Sequence, residues 1–160
     1  MREEFRHSDV GPGTWHRPVI RRPAAVGAVF YCRCVTTRVA PLASISIDCP
    51  TPDELAPFYK SLLDLEEAFV MPDRAVVCLS GASPMLTLMR VNKYEAPTWP
   101  QGPQFQQMHL DLASEDLEVD VAAAIKIGAR EANFQPSPEQ WRVMLDPVGH
   151  LFCMSAVRPD

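Results

Sequence analysis

One arrangement occurs twice in this chain, about sixty residues apart, and it constrains the fold more than any other feature. A short alternating strand runs into an amphipathic helix, and three further strand-like runs come after it. The first copy opens with Leu42-Ala43-Ser44-Ile45-Ser46-Ile47-Asp48 and continues into a helix carrying Phe58 and Tyr59. The second opens with Gln107-Met108-His109-Leu110-Asp111-Leu112 and continues into a helix that ends near Gly128. Two β-α-β-β-β units in one chain predict a pseudo-symmetric α+β domain with a cavity between the copies.

Within the first unit, Thr51-Pro52-Asp53-Glu54 marks a helix start. Thr51 is a capping residue, Pro52 suits the first helical position, and Glu54 is placed to close a capping box. Leu55, Phe58, Tyr59, Leu62 and Leu63 then fall on one helical face. Pro57 runs against this pattern, since it removes a backbone donor inside the helix. Pro72-Asp73 and the stretch Ser80–Pro84 divide the remainder of the unit into strands near 66–71, 74–79 and 85–91.

In the second unit Ser114 is the expected cap, and Glu115 and Asp116 favour the helix N-terminus. Leu117, Val121, Ala124 and Ile125 form the expected buried stripe, with Gly128 as the C-terminal stop. Strands are expected near 130–134, 140–145 and 151–156. Asp146-Pro147-Val148-Gly149 reads as a type I turn between the last two.

Alternation then sorts the opening strands into two faces. Ile45 and Ile47 share one face, matched by Met108, Leu110 and Leu112, and these apolar faces should lie under the helices. The opposite faces carry Ser44, Ser46 and Asp48 in one unit and His109 and Asp111 in the other. Polar side chains turned away from the helix fit a ligand cavity, and they equally fit an ordinary solvated sheet face.

Charge narrows the partners. Residues 1–40 hold seven Arg against three acids, a balance of +4, whereas the remainder holds eight Lys and Arg against seventeen acids, a balance of −9. An acidic folded part lacks the basic stripe that nucleic acid requires. No apolar run approaches the length of a membrane span. The five cysteines form no Cys-x-x-Cys pair, and free thiols in a reducing cytoplasm are the simplest reading. Cys32-Arg33-Cys34 would be half a metal clip, but no second half lies near it in sequence.

Residues 1–34 show no sustained period of 2 or 3.6. Residues 1–40 are therefore expected to be a disordered or non-native extension, with a native start near Val35 as the sharper form of that expectation. The apolar run Ala24–Cys32 after Arg21-Arg22 has some marks of a secretory signal, but its basic region is over-long.

These residues together resemble the vicinal oxygen chelate superfamily, in particular its glyoxalase-like domains. The resemblance rests on Ser44–Asp48, on Thr51–Leu65 and on the run from His109 to Leu117. Gly128-Ala129-Arg130 and the stretch Asp146–Cys153 also contribute. It spans 41–157, with unit one at 41–92, a linker at 93–104 and unit two at 105–157. It implies two units paired into a curved eight-stranded cup with the helices outside.

The metal enzymes of this family use four inward-facing ligands from the first and last strands of each unit. Their positions fall here on Ser44, on Thr87 or Met89, on His109 and on Cys153. Neutral hydroxyls and a thioether are weak ligands for a divalent cation, so no cofactor is expected. A divalent metal, if bound, would fall to His109 and Cys153.

Without a metal, His109 is the catalytic candidate, because an imidazole ordinarily titrates near neutrality. Ser44, Ser46, Asp48, Thr87, Met89, Trp99, Asp111, Arg142 and Cys153 are the candidate ligand-binding residues. Arg142 would either bind an anion inside the cup or lie on the outer strand face, and Trp99 in the linker would fold over the cavity mouth or pack at an interface. His150 comes directly after a tight turn and is expected at the surface.

The free thiols point to the cytoplasm, and the resemblance implies a small-molecule ligand and is compatible with a homodimer. It leaves open a metal-dependent lyase or related chelate-type enzyme. It also leaves open a non-catalytic protein that sequesters drugs such as bleomycin. Fold alone decides none of these.

Overall fold

A computed structural model describes residues 40–81 and 84–157. The expectations for residues 1–34, for a start at Val35 and for the Cys32-Cys34 pair lie outside the described residues. The elements in chain order are β1 (Ser44–Cys49), α1 (Pro52–Leu63), β2 (Glu66–Val70), β3 (Val76–Ser80) and β4 (Met85–Arg90). The second unit repeats the order with β5 (Leu110–Ala113), α2 (Leu117–Lys126), β6 (Arg130–Glu131), β7 (Trp141–Leu145) and β8 (Leu151–Ser155). Two β-α-β-β-β units are thus present, as the doubled pattern predicts.

Each unit builds one four-stranded mixed sheet, in the orders β1-β4-β3-β2 and β5-β8-β7-β6. The first and last strands of each unit pair in parallel, because the helix provides the crossover that parallel pairing needs. The other pairs are antiparallel. Period-2 alternation sends Ile45 and Ile47 of β1, and Leu110 and Leu112 of β5, into the core. Met108 does not join them. The strand begins only at Leu110, and Met108 is 74% exposed.

The helix ends show which local signals hold. In α1, Pro52 occupies the first turn as expected, but the Thr51 side chain makes no capping bond. Pro57 lies inside the helix on its exposed side, where water can satisfy the carbonyl left without a donor. In α2 the cap is Asp116, whose carboxylate accepts from Val119 N at 3.2 Å, and not Ser114. Ser114 N is already committed to Ser155 O at 2.7 Å in continuation of the β5–β8 ladder, so the chain needs two more residues to turn. Its hydroxyl donates to Asp120 at 2.6 Å.

Gly128 ends α2 as predicted, at φ +114°. Gly128 N bonds Ile125 O and Ala129 N bonds Ala124 O, the paired closure of a Schellman motif. Ile125, placed in the buried stripe by its spacing, is 46% exposed, because Val121 and Ala124 already fill the contact with the sheet.

One apolar core joins the two units. Phe58 of α1 lies edge-on to Tyr59 and meets Phe152 of β8 with ring centroids 6.0 Å apart. Tyr59 then reaches the turn between β7 and β8. Its hydroxyl donates to Asp146 Oδ2 at 3.0 Å, while Asp146 Oδ1 accepts from Val148 N and His150 N at 3.0 and 2.8 Å. Asp146 is fully buried. Burial pushes its carboxyl pKa up, and the charge of His150 with these hydrogen bonds pulls it back.

The predicted turn closes through Gly149 N to Asp146 O at 3.0 Å. Gly149 sits at φ +96°, and an added Cβ would lie 2.8 Å from Ala96 Cβ in the linker.

Tyr59→Phe should therefore lower unfolding free energy by about 1–3 kcal/mol, because it strips Oδ2 of its donor and leaves the apolar contacts in place. Urea denaturation should show a reduced midpoint at unchanged slope. An unaltered midpoint would mean that this contact does not hold the units together.

Candidate functional site

The short β5 strand sets the site. His109 immediately precedes it and Asp111 lies two residues on, so both project from the side opposite Leu110 and Leu112. The parallel register places Cys153 of β8 directly beside Asp111. The consequence is a compact cluster: one ligand-type atom from each of His109, Asp111 and Cys153 lies within 4.8 Å of the others. His109 Nε2 stands 3.2 Å from Asp111 Oδ1, and Nδ1 is hydrogen-bonded by the Gln106 side chain.

A cavity of about 360 Å³ opens over this cluster. Its apolar walls are Trp99, Pro136, Trp141, Val143 and Leu151, and Gln106, His109, Asp111 and Cys153 supply much of its polar lining. Trp99 comes from the linker and forms one wall of this cavity. Its indole N–H donates to Phe134 O at 2.9 Å and its ring meets Phe134, which ties the linker to the loop before β7.

That loop is why β6 stops at Glu131 rather than near 134. Gln135 replaces the missing strand, since its amide donates to Ala132 O and Val143 O and accepts from Val143 N, at 2.8–2.9 Å. Trp141 and Val143 are thereby held facing the cavity.

Arg142 sits elsewhere. It is in register with Met154, on the helix side of the sheet, and pairs with Glu118 of α2 and with Glu131 at 3.2 Å. Its Nε donates to Pro138 O at 2.8 Å. The even positions of β7 face the helix and the odd ones face the cavity. Arg142 is thus the outer-face residue of the two alternatives, and the anion-binding role is not supported.

Among the first-unit candidates, Ser44 and Thr87 form a separate, neutral pair. They share a hydrogen bond of 2.6 Å, and Thr87 also contacts Cys78 Sγ at 3.5 Å. Neither residue lines the cavity over His109, and nor does Met89, which is exposed with Met85 and Phe69 on the open face of the first sheet. Met144, by contrast, is fully buried in the core.

Ser46 and Asp48 border a second cleft of about 480 Å³ between β1 and β5, together with Tyr59, His109 and His150. His150 is not simply at the surface. It is half-buried against Tyr94, and its Nε2 donates to Asp48 O at 2.6 Å.

A metal held as the resemblance implies, by two donors from each unit, does not fit these residues. The two first-unit hydroxyls are neutral and already bonded to each other, and only His109 and Cys153 of the four positions share a cavity.

Three residues near the site escape a reading of the sequence: Gln106, Trp141 and His150. Trp141 is legible from alternation, since it shares a strand face with Val143, opposite Met144. Gln106 and His150 carry no such signal, because loop geometry alone brings them in.

Cys153 is a poor nucleophile as it stands. Burial, then the Asp111 charge and a hydrogen bond to that carboxylate, push its thiol up to about 11. These effects disfavour the thiolate, so reactivity should climb with pH until about 11 rather than levelling near 9. At pH 8 the thiolate fraction is about one in a thousand, against about one in ten for an ordinary thiol. Peptide-resolved iodoacetamide labelling of metal-free protein from about pH 7 to 11 should show this slope. A plateau near pH 9 would contradict it.

Known proteins share this architecture. The family model described as glyoxalase-like domain matches residues 44–155. No curated protein matches. Among solved structures, the chain is similar to the fosfomycin resistance protein FosX from Listeria monocytogenes, at 17% identity and a TM-score of 0.57, covering 76% of this chain and 94% of that one. It is also similar to a glyoxalase/bleomycin resistance protein/dioxygenase family enzyme from Burkholderia phytofirmans PsJN, at 15% identity and a TM-score of 0.52, covering 72% and 97%. TioX from Micromonospora sp. ML1 matches at 11% identity and a TM-score of 0.50, covering 72% and 98%. At these identities the likeness concerns the fold. Among the described residues no helix is long and apolar enough to cross a membrane.

Proposed function

The chain belongs to the glyoxalase-like domain family, and from that premise we propose that it binds a small, largely apolar molecule in the second-unit cavity. The observation that carries this reading is the convergence of two indole walls, Trp99 and Trp141, on the His109–Asp111 pair. A volume of about 360 Å³ suits a molecule of one or two rings. The aromatic walls favour a flat ligand face, and His109 favours a hydroxyl or carbonyl at its edge.

The same pair supports a second reading, in which the protein transforms its ligand. The Asp111 carboxylate orients the His109 ring, which is the arrangement of a general base and its partner. The proton acceptor would be His109 Nδ1, once a ligand displaces the Gln106 amide from it, with Asp111 at Nε2 as the positioning residue. Cys153, held protonated, takes no nucleophilic part in this scheme.

Titration with phenols and naphthols, followed by tryptophan quenching and calorimetry, tests the binding reading. Saturable one-to-one binding is expected. Trp99→Ala should weaken it by about tenfold, near 1.4 kcal/mol, through loss of ring contact. His109→Ala should cost about threefold to tenfold for a hydroxylated ligand and little for its non-hydroxylated analogue. Equal affinity for both ligands in the parent chain, or binding unaffected by Trp99→Ala, would refute the assignment. Turnover of a bound ligand that is lost in His109→Ala while binding persists would establish the enzymatic reading.

A further inference from the structure

We propose that the free edge of β5 takes an extended peptide of alternating apolar and basic residues, added as a further strand to the second sheet. The proposal goes beyond the small-molecule cavity and does not rest on that reading.

Strand register leaves this edge open. In the order β5-β8-β7-β6, β5 pairs with β8 alone. Ser114 N donates to Ser155 O. Alternate residues of a parallel strand bond the same neighbour, so Leu110 and Leu112 also turn their amides and carbonyls to β8. Those of Asp111 and Ala113 therefore point away from the sheet, and among the described residues no backbone group pairs with them. The corresponding edge of β1 is partly in use already, since Asp48 O accepts from His150 Nε2 at 2.6 Å.

Space runs along the whole of the β5 edge. A cleft of about 480 Å³ adjoins residues 107–110, and one of about 510 Å³ adjoins residues 111–113 beside α1 and α2. An unpaired edge flanked by open space is where extended peptides add to sheets. Backbone bonds then supply affinity, and alternate side chains supply specificity. From position 109 to 113 the edge is about 17 Å long, which accepts a pentapeptide.

The two faces of the sheet decide the side chains. On the helix side, those of an added strand would lie over Leu62, Ala124 and Met154, which calls for apolar residues. On the opposite side they would meet Asp111, and Asp48 in the cleft shared with β1. Neither cleft is lined by Lys or Arg, and Asp48 forms no ion pair among the described residues. An acidic lining of this kind calls for basic residues.

Fluorescence anisotropy on the full chain, with a fluorescein-labelled pentapeptide of alternating valine and lysine, tests the assignment. Saturable one-to-one binding is expected. The same sequence with every backbone amide methylated cannot donate to the edge and should bind at least about tenfold more weakly. The valine–glutamate counterpart should also bind at least about tenfold more weakly, and Asp48→Asn should cost the lysine peptide about threefold. Ala113→Pro removes one outward amide and leaves the β8 ladder intact, so it should weaken binding at least about tenfold at unchanged circular dichroism. Should that variant lose its fold, the methylated peptide still decides. Absence of binding by the parent chain would overturn the proposal. So would equal affinity for the methylated peptide, which would mean charge attraction without strand pairing. Self-association of the parent chain that Ala113→Pro abolishes would assign the edge to a second copy and would also overturn it. Phenol binding is read separately, so failure of the edge and failure of the ligand cavity remain distinct outcomes.

Discussion

The buried carboxylate of Asp146 organises the rest of the structure. A charged group without water is costly unless every lone pair is answered, and here the answers come from both halves of the chain. Tyr59 on α1 supplies one hydrogen bond, and the turn's own Val148 and His150 amides supply two. The turn before β8 is thereby pinned to the first-unit helix. That places β8, and with it Cys153, in parallel register beside Asp111. The His109 cluster therefore depends on a contact outside its own cavity.

Asymmetry between the two units arises from the different cover over each sheet. The second sheet's open face is closed by the linker and the 132–140 loop, through Trp99 and Gln135. The first sheet's open face keeps Phe69, Met85 and Met89 exposed and ties its polar positions, Ser44 and Thr87, to each other. One doubled pattern thus yields a chemically equipped cavity on one side and a more open face, largely apolar apart from the edge strand that carries Asp48, on the other. Function is expected to concentrate in the second unit.

Much of the fold is legible in the sequence because period 2 and period 3.6 alternate with clear punctuation. Ile45 and Ile47, the α1 stripe through Phe58 and Tyr59, and the Gly128 stop all behave as their spacing dictates. Local signals fail where a long-range contact outranks them. Ser114 is a good cap by type, but the β8 backbone claims its amide first. Met108 continues the alternation on paper, although the strand has not yet begun. Arg142 needs the correct β7 face, which only pairing with Met154 fixes. Within the site, His109, Asp111 and Trp99 can be picked out from the sequence, whereas Gln106 and His150 enter through loop geometry that no period encodes.

Whether the ligand cavity lies in the second unit is best decided by a nuclear magnetic resonance titration of the chain with 1-naphthol. It would follow the tryptophan indole N–H groups, the histidine rings and the methionine methyls. Shifts are expected at Trp99, Trp141 and His109, with Met85 and Met89 unmoved. Shifts confined to Met85, Met89 and Phe69 would place the ligand on the first sheet and contradict the assignment.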